Sequence, residues 1–206
     1  MNGKYITVEE LIKEKKNDLK LKVLYGSRFL KRKITVSEVN RPGLAVAGFL
    51  EKFRYERIQI IGRGEYYYCE STPYLKIFRN LDKMLSIGEV PCVIITGGLS
   101  PNKALKEAAK KNNVPLISTP LDSPDFIREL TIYLDDKLAP SVTVHGVLVN
   151  VYGLGVLIQG PAGIGKSECA IELLKRGHIL VSDDVVEIKR RVGNILIGSS
   201  PKTIKN

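Results

Sequence analysis

The sequence predicts a mixed α/β protein in two parts: an N-terminal α/β domain over residues 1–136 and the start of a second domain over residues 137–206. Three observations carry this expectation. Apolar runs alternate with helical segments across residues 72–138, branched residues crowd together after Pro140, and a glycine-rich turn ends in Gly165-Lys166-Ser167. Strand, helix, strand in that order is the pattern of a parallel βαβ unit.

The elements follow in order. Thr7 and Glu10 form a capping box ahead of Leu11 and Ile12, so a short charged helix is expected over residues 7–19. Leu21, Val23 and Tyr25 alternate with polar neighbours, as do Ile34 and Val36 and later Ile58 and Ile60, and each set reads as a strand. Pro42-Gly43 reads as a turn between them. Thr72 caps a helix at Pro73, with Leu75, Phe78, Leu81 and Leu85 facing inward, and residues 92–96 make a buried strand that ends at Gly97-Gly98. Ser100-Pro101 opens a helix with Ala104, Leu105 and Ala108 inward; residues 115–118 give a strand, and Ser123-Pro124 caps a helix through about Leu138.

Beyond Pro140 the texture changes. Residues 141–158 are rich in valine at alternating positions and read as successive strands. A helix is expected from about Lys166 to Lys175, a short strand over residues 179–181, and a hairpin over residues 185–197 turning at Gly193-Asn194.

Composition excludes several classes. With 44% hydrophobic and 26% charged residues, the chain suits a packed protein and neither a disordered nor a fibrous one. No apolar stretch approaches the ~20 residues of a membrane span, and residues 1–22 lack a secretory core, so a cytoplasmic protein without a membrane partner is expected. Cys69, Cys92 and Cys169 show no paired spacing and no nearby histidine cluster, which predicts three reduced thiols and no zinc site. The net charge of +10 favours anionic partners without choosing among them.

The strongest chemical signal is Gly160-Pro161-Ala162-Gly163-Ile164-Gly165-Lys166-Ser167, which fits GxxxxGK[ST] between an apolar strand and a predicted helix. Glycines let backbone amides turn inward around an anion, the helix N-terminus adds its positive end, Lys166 neutralises the β and γ phosphates, and Ser167 offers a hydroxyl to Mg²⁺. Phosphate binding is the expectation. Asp183 and Asp184 follow an apolar strand, where neighbours face opposite sides, so the two carboxylates are expected to do different jobs: one near a metal, one moving a proton. A plain surface turn fits the same spacing.

His145, alone in a β-rich block, reads from its residues as a hydrogen-bonded structural histidine, and His178 as a cation complementing the end of the preceding helix. Lys31-Arg32-Lys33 and Lys189-Arg190-Arg191 are short, lack interleaved aromatics and read as solvated faces, so no nucleic-acid partner is expected. Tyr66 to Tyr68 read as an alternating run, two rings inward and one outward.

The sequence also resembles the bifunctional HPr kinase/phosphorylase family. In the C-terminal part the resemblance is carried by Val144-His145-Gly146-Val147, Tyr152-Gly-Leu-Gly155, the loop itself, Ser167-Glu168, and the run from Lys175-Arg-Gly-His178 to Asp183-Asp184. In the N-terminal part it is carried by Asn40-Arg-Pro-Gly43, Arg57-Ile-Gln-Ile-Ile-Gly62, Pro91-Cys-Val-Ile-Ile-Thr-Gly97 and Val114-Pro-Leu-Ile. It implies an N-terminal domain similar to the substrate-binding part of a muramyl ligase and an incomplete C-terminal core similar to phosphoenolpyruvate carboxykinase. The latter is mostly antiparallel near its loop, whereas the loop motif alone suggests a parallel sheet.

The resemblance implies an enzyme that phosphorylates a serine of HPr, the phosphocarrier of the sugar phosphotransferase system, using ATP or pyrophosphate with Mg²⁺. Inorganic phosphate reverses the reaction and yields pyrophosphate, and the pair of activities regulates carbon catabolite repression, in hexamers. It implies Asp184 as the residue that accepts and returns the serine proton, Asp183 as support for the Mg²⁺ shell, Lys166 as the stabiliser of the transferred phosphoryl group, Ser167 as metal ligand and His145 as a catalytic neighbour. The family pattern continues into a metal-binding glutamate and a Glu-Ile-Arg-Gly stretch beyond these residues, so the 206-residue chain is expected to fold poorly in its second half and to be inactive or nearly so. A generic nucleotide-hydrolysing ATPase and a non-catalytic nucleotide or nucleic-acid binding module are the rival readings.

Overall fold

Thr7 closes a two-residue strand, β1 (Ile6–Thr7), and caps the helix after it, α1 (Val8–Lys15). The Glu10 amide donates to its hydroxyl at 3.1 Å and the Thr7 amide donates to the Glu10 carboxylate at 2.6 Å, so two donors of the helix start are satisfied reciprocally. The capping box is as the sequence predicts. The computed structural model describes residues 4–201, which fall into two compact units, one running up to Leu138 and one from Ala139 onward.

The first unit continues through β2 (Lys22–Tyr25), β3 (Lys33–Ile34), β4 (Val39–Asn40), α2 (Gly43–Ala47), β5 (Ile58–Ile61), α3 (Arg63–Ser71), α4 (Tyr74–Ser86), β6 (Val93–Ile95), α5 (Lys103–Lys111), β7 (Leu116–Ser118) and α6 (Ser123–Leu138). Strands β2-β7-β6-β5-β4 form one sheet in that order, parallel except for β2, while β1 pairs with β3. The predicted parallel unit is present. Helices cover both faces, so β5 and β6 are buried along their whole length. Alternation then divides the side chains: Ile61, Val93 and Ile95 pack under α2, α4 and α5, and Ile58, Ile60 and Ile94 pack under α1 and α6.

One fully buried polar side chain sits in this sheet. Gln59 donates to the Arg54 and Arg57 carbonyls at 2.9 and 2.7 Å and accepts from Asn40 at 2.8 Å, so its burial leaves no amide group unpaired. Cys92 and Cys69 are buried too, and desolvation pushes their thiols up to about 12 and about 11 respectively. Cys169 is exposed. Brief treatment of the native chain with iodoacetamide is therefore expected to label Cys169 alone, the other two reacting only after denaturation; mass spectrometry showing equal labelling of all three would contradict this burial.

Several sequence expectations need correction here. The tyrosine run lies on α3, a helix the sequence reading omits, with Tyr67 62% exposed and Tyr66 against the core. The helix starts because the Gly62 amide donates to the Glu65 carboxylate at 3.1 Å, a cap without the usual serine or aspartate. Pro42-Gly43 leads into α2 and is not a simple turn; Pro73, not Thr72, caps α4; Leu75 faces solvent, and Ile77 and Met84 take the inward places. Asn102, not Ser100, caps α5, its side chain accepting from the Leu105 amide at 2.8 Å. Val36 lies outside β3.

The second unit comprises β8 (Ser141–His145), β9 (Val147–Val151), β10 (Leu154–Ile158), α7 (Lys166–Lys175), β11 (Ile179–Ser182), β12 (Val185–Arg190) and β13 (Leu196–Ser199). Two three-stranded antiparallel sheets result, β10-β9-β11 and β13-β12-β8. The hairpin turns at Gly193-Asn194, both in the left-handed region. Val147, Val149 and Ala170 form its small core, where α7 packs on β9. Among the described residues no helix is long and apolar enough to cross a membrane.

Candidate active site

Strand β10 delivers the chain to Gln159, and the glycine-rich segment then turns it into α7 with Lys166 as the first helical residue. Gly165 is the residue before the helix and sits at φ 96°, a left-handed conformation that a side chain would oppose by about 1–2 kcal/mol. It offers no side-chain cap, so the first-turn amides of α7 keep their capacity to bind an anion. The Lys166 ammonium donates to the Gly160 and Pro161 carbonyls at 3.0 and 2.8 Å. A phosphate would draw it from these neutral acceptors, because charge-assisted bonds are roughly twice as strong. Ser167 follows on the exposed side of the same turn.

The two aspartates lie on a turn between β11 and β12, the second of the two readings their spacing allows, so alternation of faces does not apply. Ser182, itself buried, donates from Oγ to the Val185 carbonyl at 2.6 Å; the Val185 amide donates to the Asp183 carbonyl at 2.9 Å. Asp184 is thereby held at φ 68°. Its own amide donates to the Asp183 carboxylate at 3.0 Å, and both aspartates are exposed.

His145 stands opposite, since it pairs with Val185 in the β8–β12 ladder. Its Nδ1 lies 3.9 Å from Asp184 Oδ1, both side chains being almost fully exposed. Gly146 joins these groups to the loop. Its amide donates to the Asp184 carbonyl at 3.1 Å, a Cβ on it would lie 2.7 Å from the Ile158 carbonyl oxygen, and Gln159 Nε2 donates to the His145 carbonyl at 3.3 Å. Loop entry, histidine and aspartate therefore meet at one glycine.

Gln159, Gly146 and Ser182 are the residues that sequence reasoning passed over. Only Ser182 carries a local sign, a hydroxyl two places before a strained acid. His178 does not join the group: its amide closes the end of α7 on the Leu173 carbonyl at 3.2 Å, and its ring meets Tyr152 edge-on. Among the described residues no three His, Cys, Asp or Glu side chains gather as a metal cage. The exposed Ser167 hydroxyl is a hard-oxygen donor of the kind Mg²⁺ takes.

A glycine-rich turn between strand and helix, closed by Lys-Ser, with an acid and a histidine joined to its entry at Gly146, has the form of a phosphate loop. Residues 6–134 match the family model of the HPr Serine kinase N terminus, and residues 136–206 match that of the HPr Serine kinase C-terminal domain. The chain is 47% identical over 201 residues to the HPr kinase/phosphorylase of Caldanaerobacter subterraneus subsp. tengcongensis, covering 98% of this chain and 64% of that protein. It is 47% identical over 199 residues to the one from Clostridium perfringens, with coverage of 96% and 62%. The solved Hpr(Ser) kinase/phosphatase from Coxiella burnetii matches at 47% identity over 30% of this chain and 41% of that chain, with a TM-score of 0.28. This chain belongs to the HPr kinase/phosphorylase family, and it spans about 64% of the length of the Caldanaerobacter relative.

Proposed function

We propose that these residues supply the phosphate-gripping and proton-moving groups of an enzyme that transfers a phosphoryl group from ATP or pyrophosphate to a serine of HPr, and removes it with inorganic phosphate. The observation that carries this reading is the meeting of loop entry, His145 and Asp184 at Gly146. In the forward direction Asp184 takes the serine proton as the serine oxygen attacks the terminal phosphorus and the bond to the leaving phosphate oxygen breaks. Lys166 and the loop amides stabilise the charge that spreads over the transferred group.

In reverse, an oxygen of inorganic phosphate attacks the phosphorus of phosphoserine, pyrophosphate forms, and Asp184 returns the proton to the serine oxygen. His145 stands beside this acid as a catalytic neighbour, its Nδ1 3.9 Å from Asp184 Oδ1. Mg²⁺, held by Ser167 and the phosphates with Asp183 behind it, would neutralise phosphate charge. The antiparallel strands beside the loop support a carboxykinase-like core, and the parallel sheet of the first unit accommodates a muramyl-ligase-like description. The same reading makes the enzyme cytoplasmic, a hexamer, and an agent of carbon catabolite repression.

The test uses an enzyme carrying these residues at full family length, supplied with ATP, Mg²⁺ and HPr. Asp184→Asn is expected to lower formation of phosphoserine by about a hundredfold or more while ATP binding persists, in line with the loss of a general base. Undiminished transfer would refute the assignment, and ATP hydrolysis indifferent to HPr would favour the plain ATPase.

A further inference from the structure

Strand β11 reaches the two aspartates out of step with its partner. Ile179 and Leu180 pair with Asn150 and Val149 of β9, yet Ser182 and not Val181 pairs with Leu148, so β11 carries one extra residue here. A bulge of this kind re-aims the side chains that follow it. Its effect on burial is plain: Ile179 and Leu180 are exposed, while the polar Ser182 that closes the strand is 6% exposed, next to two exposed aspartates.

The turn that follows accounts for a buried serine. The Val185 amide donates back to the Asp183 carbonyl at 2.9 Å around Asp184 at φ 68°, a three-residue reversal of the rare, strained kind. Such strain persists only where the surroundings over-determine it. Besides that bond, the Asp184 amide donates to the Asp183 carboxylate at 3.0 Å, the Gly146 amide donates to the Asp184 carbonyl at 3.1 Å, and the Ser182 hydroxyl donates to the Val185 carbonyl at 2.6 Å. Only the last comes from a buried side chain. Because β11 and β12 belong to different sheets, the same hydroxyl ties the two sheets together where the acid emerges.

We propose that Ser182 is a positioning residue for phosphoryl transfer: its hydroxyl, acting through the Val185 carbonyl, holds the reversal that aims the Asp184 carboxylate at the serine oxygen of HPr. The proposal rests on the reading of Asp184 as the proton-moving group and names what aims it. Misplacing a reacting group by about 1 Å costs on the order of a hundredfold in rate, so the loss of this bond belongs in turnover and not in nucleotide binding, which the loop supplies. A serine that served stability alone would lower the folded fraction and leave the rate per folded molecule unchanged.

The test uses the enzyme at full family length, each rate being corrected to folded protein by an unfolding curve at the assay temperature. Ser182→Ala is expected to lower kcat about ten- to a hundredfold for HPr phosphorylation and for its reversal, with KM for ATP within about twofold, and Ser182→Thr, which keeps a hydroxyl, to stay within about threefold of the parent. In an Asp184→Asn background the same alanine is expected to cost less than about twofold, since a group that acts through the acid then has nothing to aim. In the 206-residue chain, amide exchange followed by NMR is expected to quicken about fivefold or more at Gly146 and Val185 in Ser182→Ala, while the amides along β9 and β10 change less than about twofold. A kcat within twofold of the parent, equal losses in both backgrounds, threonine no better than alanine, or exchange quickened equally along β9 and β10 would overturn the proposal. Undiminished transfer by Asp184→Asn alone would remove the base itself, and its positioning residue with it.

Discussion

Replacing Lys166 with alanine weakens ATP binding by the 206-residue chain about ten- to a hundredfold, the expected result of removing one charged contact worth roughly 1.5–3 kcal/mol. The ammonium bridges the Gly160 and Pro161 carbonyls, so its loss also frees the start of the loop. Those carbonyls are exposed and find water, and the fold should be unaffected. Binding of a fluorescent ATP analogue, read beside an unchanged unfolding curve, separates lost grip from lost structure. Affinity within twofold of the parent would mean that the loop does not hold the terminal phosphates. In the family-length enzyme the same substitution should slow phosphoryl transfer by about a hundred- to a thousandfold, since the missing charge is needed most in the transition state.

The second large effect belongs to Gly146→Ala. A methyl group there would stand 2.7 Å from the Ile158 carbonyl oxygen and 3.2 Å from both Gln159 Cγ and Leu157 Cδ1. The oxygen is backbone within the β9–β10 ladder and cannot step aside without loosening that pairing. A cost of about 1–3 kcal/mol is expected from such overpacking. Gly155→Ala is the internal control: its methyl would meet Leu148 at 3.6 Å, an ordinary contact, and should cost less than about 0.5 kcal/mol. Denaturant midpoints of the two variants decide the matter, and equal stabilities would show that Gly146 is not the tight junction described. Because the glycine amide also donates to the Asp184 carbonyl, transfer activity should fall along with stability.

Much of the fold was legible because its local signals are strong. Thr7 and Glu10 announce a helix start, Ile58 and Ile60 a strand, and the helix from Lys166 to Lys175 ends where its pattern ends. The place of the glycine-rich turn between β10 and α7 was legible for the same reason, since Gly165-Lys166 marks the start of the helix. Where the reading failed, tertiary contacts had outweighed local pattern. Three tyrosines in succession suit a strand, yet Glu65 turns them onto a helix; Leu75 faces solvent because repeated three-residue steps drift round the helix, whose buried face runs through Ile77, Leu81, Met84 and Leu85. At Asp183 and Asp184 strand alternation and a plain surface turn fitted the sequence equally, and the hydrogen bond from Ser182 to Val185 decides for the turn. The importance of Gly146 has no local sign at all, since it arises from Ile158 and Asp184 approaching from other strands.

The left-handed backbone at Asp184 has a practical outcome for dissecting this chemistry. Asparagine tolerates that region of conformational space as readily as aspartate, whereas valine or isoleucine would be forced out of it. The amide is thus an isosteric probe at this one position, subtracting a negative charge while sparing the geometry, and whatever reactivity it removes can be credited to the acid itself.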